Sequence, residues 1–446
     1  MAHDRDPTPR RVVGALGALL LVGTVLAIVR RILGIEERPC WPPPPDSVTS
    51  AQAQSATQAF GARGRARARD AALSFAWSSA ATIEPWVEGR EFFPRILADV
   101  EAARSSVHIL MFGWREGDVG RRMAALLERK IADGVEVRAI VDGLGSRPYW
   151  SARPMFESLA AAGGQIVVND VLPPGRLGLY PHGLRLDWRQ SQFGRADHRK
   201  LYVIDGTVAW TGGAGIEDHF HNGEFHDVMV RVTGDVVRQA QAAFLTSFKG
   251  HAGTPPADLS RLFPPPPDSG STPTALAQVI PGGHVAASQA IAEQIDGARR
   301  RLDVMNPYFT DRDMVERIIA CARRGVKVRV VVSAKSNSPQ ATAALKHRYA
   351  DLIAAGAEVW ELPGTVVHAK VVVADDVVSF GTVNLDAWAL YRNSEIAMIA
   401  HSPSAAALFE ERLFAPDIAR AVGGVPPSRT RDRVESWIGD KLTYFL

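Results

Sequence analysis

The chain has 446 residues, 46% hydrophobic and 22% charged, with a formal net charge of +3. That length supports two or three domains with real cores, and the composition is that of an ordinary globular protein. The balance lacks the positive excess of a nucleic-acid binder, and two cysteines, Cys40 and Cys321, make neither a disulfide framework nor a metal-ligand spacing.

Residues 12–29 form an uninterrupted uncharged stretch, mostly Val, Leu, Ala and Gly, between Arg10-Arg11 and Arg30-Arg31. As a helix it would span roughly 27 Å at about 1.5 Å per residue, close to a hydrocarbon core of about 30 Å. A cleaved signal peptide is the competing reading, but no small-x-small cleavage pattern follows the run. The expectation is an uncleaved transmembrane helix, with residues 1–35 as a membrane anchor. Arginines at both ends leave its orientation open. Residues 36–80 contain Pro42-Pro43-Pro44-Pro45 and an Ala/Gln/Ser/Arg-rich stretch, and read as a flexible spacer.

Two lobes of similar pattern follow. In the first, residues 81–253, the apolar spacing predicts a helix over 92–103, a strand over 107–114, a helix over 121–132 and a buried strand over 135–141. A helix at 154–162 and a strand at 165–168 complete the series. Residues 254–277, rich in Pro, Ser and Thr, read as a linker. The second lobe, residues 278–415, repeats the order: helix 287–298, strand 302–308, helix 314–323, strand 326–332, helix 341–355, strand 358–362. The junction Asp133-Gly134-Val135-Glu136-Val137-Arg138 matches Arg324-Gly325-Val326-Lys327-Val328-Arg329. Residues 416–446 are left as a C-terminal tail. Such alternation predicts an α/β sandwich, here duplicated. A duplicated fold predicts that any site occurs twice.

A motif does occur twice. His198-Arg199-Lys200-Leu201-Tyr202-Val203-Ile204-Asp205 and His368-Ala369-Lys370-Val371-Val372-Val373-Ala374-Asp375 share the spacing His-x-Lys-x(4)-Asp. One chance match in this length has an expectation of roughly 0.01, so two at equivalent places are not coincidence. His and Lys at i and i+2 on a strand share a face. An imidazole beside an ammonium suits a phosphate: one attacks or protonates, the other neutralises anionic oxygens. Asp205 and Asp375 complete the motif, but their odd offset and the turns after them, Asp205-Gly206 and Asp375-Asp376, point to a structural role. His108, His182, His284, His347 and His401 read as ordinary core or surface residues. His219, His221 and His226 cluster near the first motif, but no recognisable metal pattern is completed. Gly143-Leu144-Gly145 after Asp142 reads as a strand-to-helix turn and not a phosphate loop.

Over residues 92–413 the chain resembles the phospholipase D superfamily, and most of all bacterial cardiolipin synthases. Besides the two motifs, Thr211-Gly212-Gly213-Ala214-Gly215-Ile216 is similar to the family's Gly-Gly-x-Asn-Ile. Gly381-Thr382-Val383-Asn384-Leu385-Asp386 is similar to Gly-Ser-x-Asn-Leu-Asp, and Asn306-Pro307-Tyr308-Phe309 to the Pro-Tyr-Phe strand end. Arg195 also matches. The resemblance implies two lobes of the phospholipase D type with the active site between them. It also implies an acidic residue in each half-site that orients its histidine: Asp227 in the first lobe and Glu395 in the second. Three departures stand out. Gly215 occupies a position where Asn is usual, the segment from Asp375 to Gly381 is one residue short, and Trp388 replaces the usual Arg.

The resemblance implies a phosphatidyltransferase that moves a phosphatidyl group between phospholipids through a phosphohistidine. His198 is expected as nucleophile and His368 as acid and base. Lys200, Lys370 and Asn384 would hold the phosphoryl oxygens. The expected partners are a phospholipid substrate and a membrane, with no nucleic acid, metal or cofactor, at a bacterial cell membrane. The sequence leaves the oligomeric state open. Hydrolysis to phosphatidic acid is the rival enzyme reading. A nuclease-type phosphodiesterase fits the near-neutral charge and the anchor less well, and a decayed scaffold does not fit two intact His/Lys pairs.

Overall fold

Each half of the chain runs through one succession of strands and helices. The computed structural model of the protein describes residues 77–146, 152–169, 196–250, 253–267, 270–281, 285–334 and 336–426, all within one compact unit. A short strand β1 (Trp77–Ala80) comes first. The first half is β2 (Ile83–Val87), α1 (Gly89–Ala102), β3 (Ser106–Met111), α2 (Asp118–Ala132), β4 (Glu136–Asp142), α3 (Arg153–Ala161), β5 (Gln165–Asn169), β6 (Lys200–Ile204), β7 (Val208–Gly212), α4 (Asp218–His221), β8 (Phe225–His226), β9 (Val228–Thr233) and α5 (Val236–Gly250). The second is β10 (Thr272–Val279), α6 (Ala286–Gly297), β11 (Arg301–Met305), α7 (Arg312–Arg323), β12 (Lys327–Ser333), α8 (Pro339–His347), α9 (Tyr349–Ala354), β13 (Glu358–Leu362), β14 (Val366–Val367), β15 (Val371–Ala374), β16 (Val377–Gly381), α10 (Ala387–Tyr391), β17 (Glu395–His401) and α11 (Pro403–Phe409). A π-helical turn, Glu410–Phe414, joins α11 to α12 (Ala415–Arg420), and β18 (Val422–Gly423) is the last strand.

Seven strands form the first sheet in the order β2-β9-β7-β6-β3-β4-β5. The nine-stranded second sheet runs β1-β10-β17-β16-β15-β11-β12-β13-β18. Without its two edge strands it repeats the first, strand for strand. The helices follow their apolar spacing: α2 buries Val119, Met123, Leu126 and Leu127 on one stripe. With α1 it covers the outer face of the first sheet. Helix α5 packs on β6 and β9 of the first sheet and on β1 and β10 of the second. Its Val237, Phe244 and Phe248 belong to a core that includes Val203 of one sheet and Leu276 and Met398 of the other. The mixed α/β, duplicated architecture thus matches the expectation from sequence.

Several predicted boundaries move. Strand β10 begins at Thr272, inside the predicted linker, and β1 lies in the predicted spacer; the two pair antiparallel in the second sheet. The four residues of β1 and the Thr-Pro-Thr start of β10 hide strands that tertiary pairing stabilises. Likewise α12 and β18 run into the predicted tail. The helix expected over 341–355 is two, because Arg348 bonds back to Leu345 O in a tighter turn. Strands expected to reach Trp114 and Tyr308 stop at Met111 and Met305, after which the chain turns into the interlobe cleft. The predicted anchor, residues 1–35, and Arg195 lie outside the described residues. Among the described residues no helix is long and apolar enough to cross a membrane.

The motif aspartates explain part of the repeat. Asp205 and Asp375 both have φ 52°, in the left-handed region that short polar side chains tolerate. The Asp205 carboxylate accepts the backbone N–H groups of Arg104, Ser105 and Ser106 at 2.8–2.9 Å, and the Ser105 hydroxyl at 2.8 Å. Burial works against its charge, but these donors hold its pKa below the usual carboxylate value. Asp375 does the same for Arg299, Arg300 and Arg301. Each aspartate therefore locks the helix-to-strand junction beside its own motif strand, as its odd spacing implied.

A second lock joins the halves. His226, on β8, is fully buried between the Glu88 carboxylate at Nδ1 and Asp417 of α12, whose Oδ2 is 2.6 Å from Nε2. Burial opposes its charge, but the two carboxylates outweigh burial and raise its pKa to about 9. Arg420 reaches the same cluster, bonding Asp417 at 2.8 Å.

Two outcomes are expected. Asp205→Ala strips four hydrogen bonds from one junction and should lower the unfolding free energy by on the order of 3 kcal/mol, read by denaturant titration. His226→Gln should cost on the order of 2–3 kcal/mol at neutral pH, because it removes the buried cation between Asp417 and the partly exposed Glu88 and leaves only Arg420 to balance them. A raised folded pKa makes the clamp's contribution full below 6.5 and lost as pH rises through about 9. The stability gap between wild type and His226→Gln should therefore close above that pH. A gap that stays constant there would mean that His226 is held neutral.

Candidate active site

The motif histidines stand just before β6 and β15, where each chain segment meets the other half. His198 donates its backbone N–H to Ser394 O at 3.0 Å, and Ser394 N donates to Ala196 O at 2.9 Å. In the same manner His368 N donates to His226 O at 2.7 Å, beside the short parallel pair of β14 and β8. Glu395 follows Ser394, and Asp227 follows His226. These backbone stitches decide which carboxylate meets which imidazole. His198 Nδ1 lies 2.8 Å from Glu395 Oε1, and His368 Nδ1 lies 2.8 Å from Asp227 Oδ2. The pairing expected within each lobe is corrected: each carboxylate orients the histidine of the other lobe. A carboxylate accepts only, so Nδ1 carries the proton and Nε2 is left with its lone pair.

Each carboxylate has its own support. Thr382 donates its hydroxyl to Glu395 Oε2 at 2.5 Å and accepts Ile396 N–H at 3.0 Å. Val228 N–H reaches Asp227 Oδ1 at 2.7 Å. At Gly213, the position equivalent to Thr382, a Cβ would lie 2.5 Å from both Asp227 oxygens and 2.7 Å from His368 O. Only glycine lets Asp227 pass to His368 there. Thr382 was not singled out from the sequence; the contrast of Gly381-Thr382 with Gly212-Gly213 carried the signal.

Both lysines share the site, and each hooks back onto its own motif. Lys200 Nζ donates to His198 O at 2.5 Å, and Lys370 Nζ donates to His368 O at 2.5 Å. Lys370 Nζ also lies 2.8 Å from His368 Nδ1 and 3.2 Å from its Nε2. An ammonium has three donors, so further N–H groups remain for a phosphoryl oxygen. Asn384 is 5% exposed and its Oδ1 has no protein partner; its amide Nδ2 is the atom able to donate to a phosphoryl oxygen. Aromatic rings wall the histidines. Phe112 meets His198 edge-on at 4.7 Å, while Phe220, Phe225 and Tyr308 surround His368 at 5.2, 5.5 and 6.4 Å. Asp205 and Asp375 lie at the far ends of β6 and β15 and touch neither histidine pair.

Burial governs the electrostatics. It lowers both histidines well below their ordinary pKa, with Lys200 and Lys370 adding repulsion. It pulls Lys200 down to about 8 and Lys370 to about 7, and pushes Glu395 up to about 8 and Asp227 in the same direction. Burial and the neighbouring lysines both work against an imidazolium, so neutral imidazoles are favoured. A phosphate anion beside the lysines reverses the repulsion and makes an imidazolium affordable. The three clustered histidines do not converge: His219 Nε2 is 3.4 Å from Glu217 Oε2, His221 Nδ1 is 3.4 Å from Gly89 O, and His226 sits in its clamp. Among the described residues no group of three or more His, Cys, Asp or Glu is placed to hold a metal.

Known proteins share this arrangement to different extents. Residues 291–415 match the family described as "Cardiolipin synthase, PLD-like domain". A cardiolipin synthase of Listeria monocytogenes is 29% identical over 326 residues, covering 70% of this chain and 64% of the relative. The major cardiolipin synthase ClsA of Bacillus subtilis is 27% identical over 328 residues, covering 71% and 64%. The chain thus spans less than two thirds of the length of these curated relatives. Among solved structures, phosphatidylserine synthase of Haemophilus influenzae has a similar fold, with a TM-score of 0.61 at 13% identity over 88% of this chain and 100% of that one. Polyphosphate kinase of Porphyromonas gingivalis gives 0.50 at 13% identity over 81% and 53%. The paired motifs, the duplicated fold and these likenesses together support a phospholipase D-like, cardiolipin synthase-like protein.

Proposed function

We propose that the protein is a membrane-anchored phosphatidyltransferase of the cardiolipin synthase type. The observation that carries this reading is the crossed pair of buried histidines, each tied at Nδ1 to a carboxylate of the other lobe, beside two lysines. Such a set has a nucleophile, an acid and a cationic cradle for one phosphodiester.

In the proposed reaction His198 Nε2 attacks phosphorus of a phosphatidylglycerol. The P–O bond to glycerol breaks as His368 gives its proton to the leaving oxygen. A phosphatidyl-His198 forms, with neutral His368 beside it. A second phosphatidylglycerol then brings its hydroxyl; His368 takes that proton as the oxygen attacks phosphorus and the P–N bond breaks. Cardiolipin and glycerol are the products. Lys200, Lys370 and Asn384 stabilise charge on the non-bridging oxygens. Glu395 keeps His198 in the attacking tautomer, and Asp227 stabilises the imidazolium of His368. Giving the first-lobe histidine the nucleophile role follows the family resemblance, since the two halves are near-symmetric. The apolar run at residues 12–29 would hold the enzyme at its lipid substrate.

Purified full-length protein given phosphatidylglycerol vesicles should yield cardiolipin and glycerol. Phosphatidic acid as sole product would make it a hydrolase, and no lipid turnover would remove the reading. His198→Ala and His368→Ala should each lose about 10²- to 10⁴-fold or more in rate. With a p-nitrophenyl phosphodiester, whose leaving group needs no proton, His368→Ala should still take up acid-labile, base-stable label and His198→Ala should not. Label on His198→Ala alone would reverse the two roles.

A further inference from the structure

Among the differences between the two half-sites, the pair Gly215 and Glu217 in place of Asn384 and Asp386 leaves an arginine at the surface. Trp114 bridges to Ile216 as Phe309 bridges to Leu385, so Gly215 stands opposite Asn384 and Glu217 opposite Asp386. A Cβ at Gly215 would lie 2.6 Å from Gly113 O and 2.9 Å from Glu217 Oε2. The space taken by an amide side chain in the second half is taken in the first by the Glu217 carboxylate. Glu217 is buried, at 8% exposure. Its Oε1 lies 2.6 Å from Arg115 Nε, which also reaches Gly145 O at 3.2 Å.

Arg115 is thus held by one hydrogen bond from Nε to Gly145 O and by ion pairing to Glu217, while its side chain remains 40% exposed against 9% for Glu217. A molecule entering from solvent meets the guanidinium before the carboxylate. The position is close to the catalytic groups. Gly145 packs against Phe112, whose ring touches His198, and His219, beside Glu217, is 4.3 Å from the Phe225 ring that walls His368. A guanidinium carries five N–H donors in a planar fork suited to phosphate oxygens, and only Nε is occupied by these contacts.

We propose that Arg115, braced by Glu217, binds the phosphodiester of the acceptor lipid, so that the preferred acceptor is an alcohol carrying its own phosphate. This rests on the transferase reading. Lys200, Lys370 and Asn384 hold the phosphate that reacts, and a second anion needs a cation outside that set. Glu217 in place of the amide keeps the guanidinium at the cleft and makes the first half a recognition surface instead of a second oxyanion cradle.

The test uses vesicles of phosphatidylglycerol with labelled free glycerol. Cardiolipin formation reports an acceptor with a phosphate; entry of labelled glycerol into phosphatidylglycerol reports an acceptor without one. Arg115→Gln should lower the ratio of cardiolipin to exchanged glycerol about ten- to hundredfold, the usual effect of losing a charged hydrogen bond. Arg115→Lys, which keeps the charge without the fork, should fall between it and wild type. Glycerol exchange itself reports a folded, working enzyme in each variant. An unchanged ratio in both variants overturns the proposal while the transferase reading stands. A wild type that makes neither cardiolipin nor exchanged lipid overturns both.

Discussion

A hydrogen bond between a histidine of one lobe and a carboxylate of the other is the constraint on which this structure turns. His198 needs Glu395 and His368 needs Asp227, so neither half owns a complete site. The bond is short because the backbone makes it so. The segment ending at His198 pairs with Ser394, and the segment ending at His368 pairs with His226. Every larger feature serves that alignment. The helix α5 and the core shared by both sheets hold the lobes together, and the Glu88–His226–Asp417 clamp pins the strand that carries Asp227.

Burying six ionisable groups in one place is costly unless they neutralise one another. Here the lysines and carboxylates do so, and the histidines remain neutral. In the proposed reaction that state would leave His198 free to attack and His368 awaiting a compensating anion. The motif aspartates act at a distance, by fixing the turns from which β3 and β11 start. The motif histidines and lysines are therefore held by strands whose far ends are also tied down, which limits how far an imidazole can drift.

The repeat, the two His/Lys pairs and the structural part played by Asp205 and Asp375 were legible in the sequence, because local periodicity and spacing encode them. The crossed pairing was not. His198 and Glu395 are joined through a bridge between Asp197 and Ser394, and no spacing within a lobe reports a contact between lobes. Strands β1 and β10 were hidden for a related reason: β1 is four residues long and β10 opens on Thr-Pro-Thr beside a Pro-rich stretch, and each is fixed as a strand by pairing, β1 with β10 and β10 with β17. Thr382 and Phe112 gained meaning only beside their neighbours. Gly215, visible as a departure, needed the position of Glu217 to be understood.

The crossing can be observed without any substrate. In protein carrying isotope-labelled histidine, the Nδ1 proton and nitrogen resonances of His198 and His368 report their carboxylate partners. The account predicts that Glu395→Gln moves the His198 signals and leaves those of His368 in place, and that Asp227→Asn does the converse. If Glu395→Gln instead moved His368 and Asp227→Asn moved His198, each lobe would orient its own histidine, and the crossed site described here would be wrong.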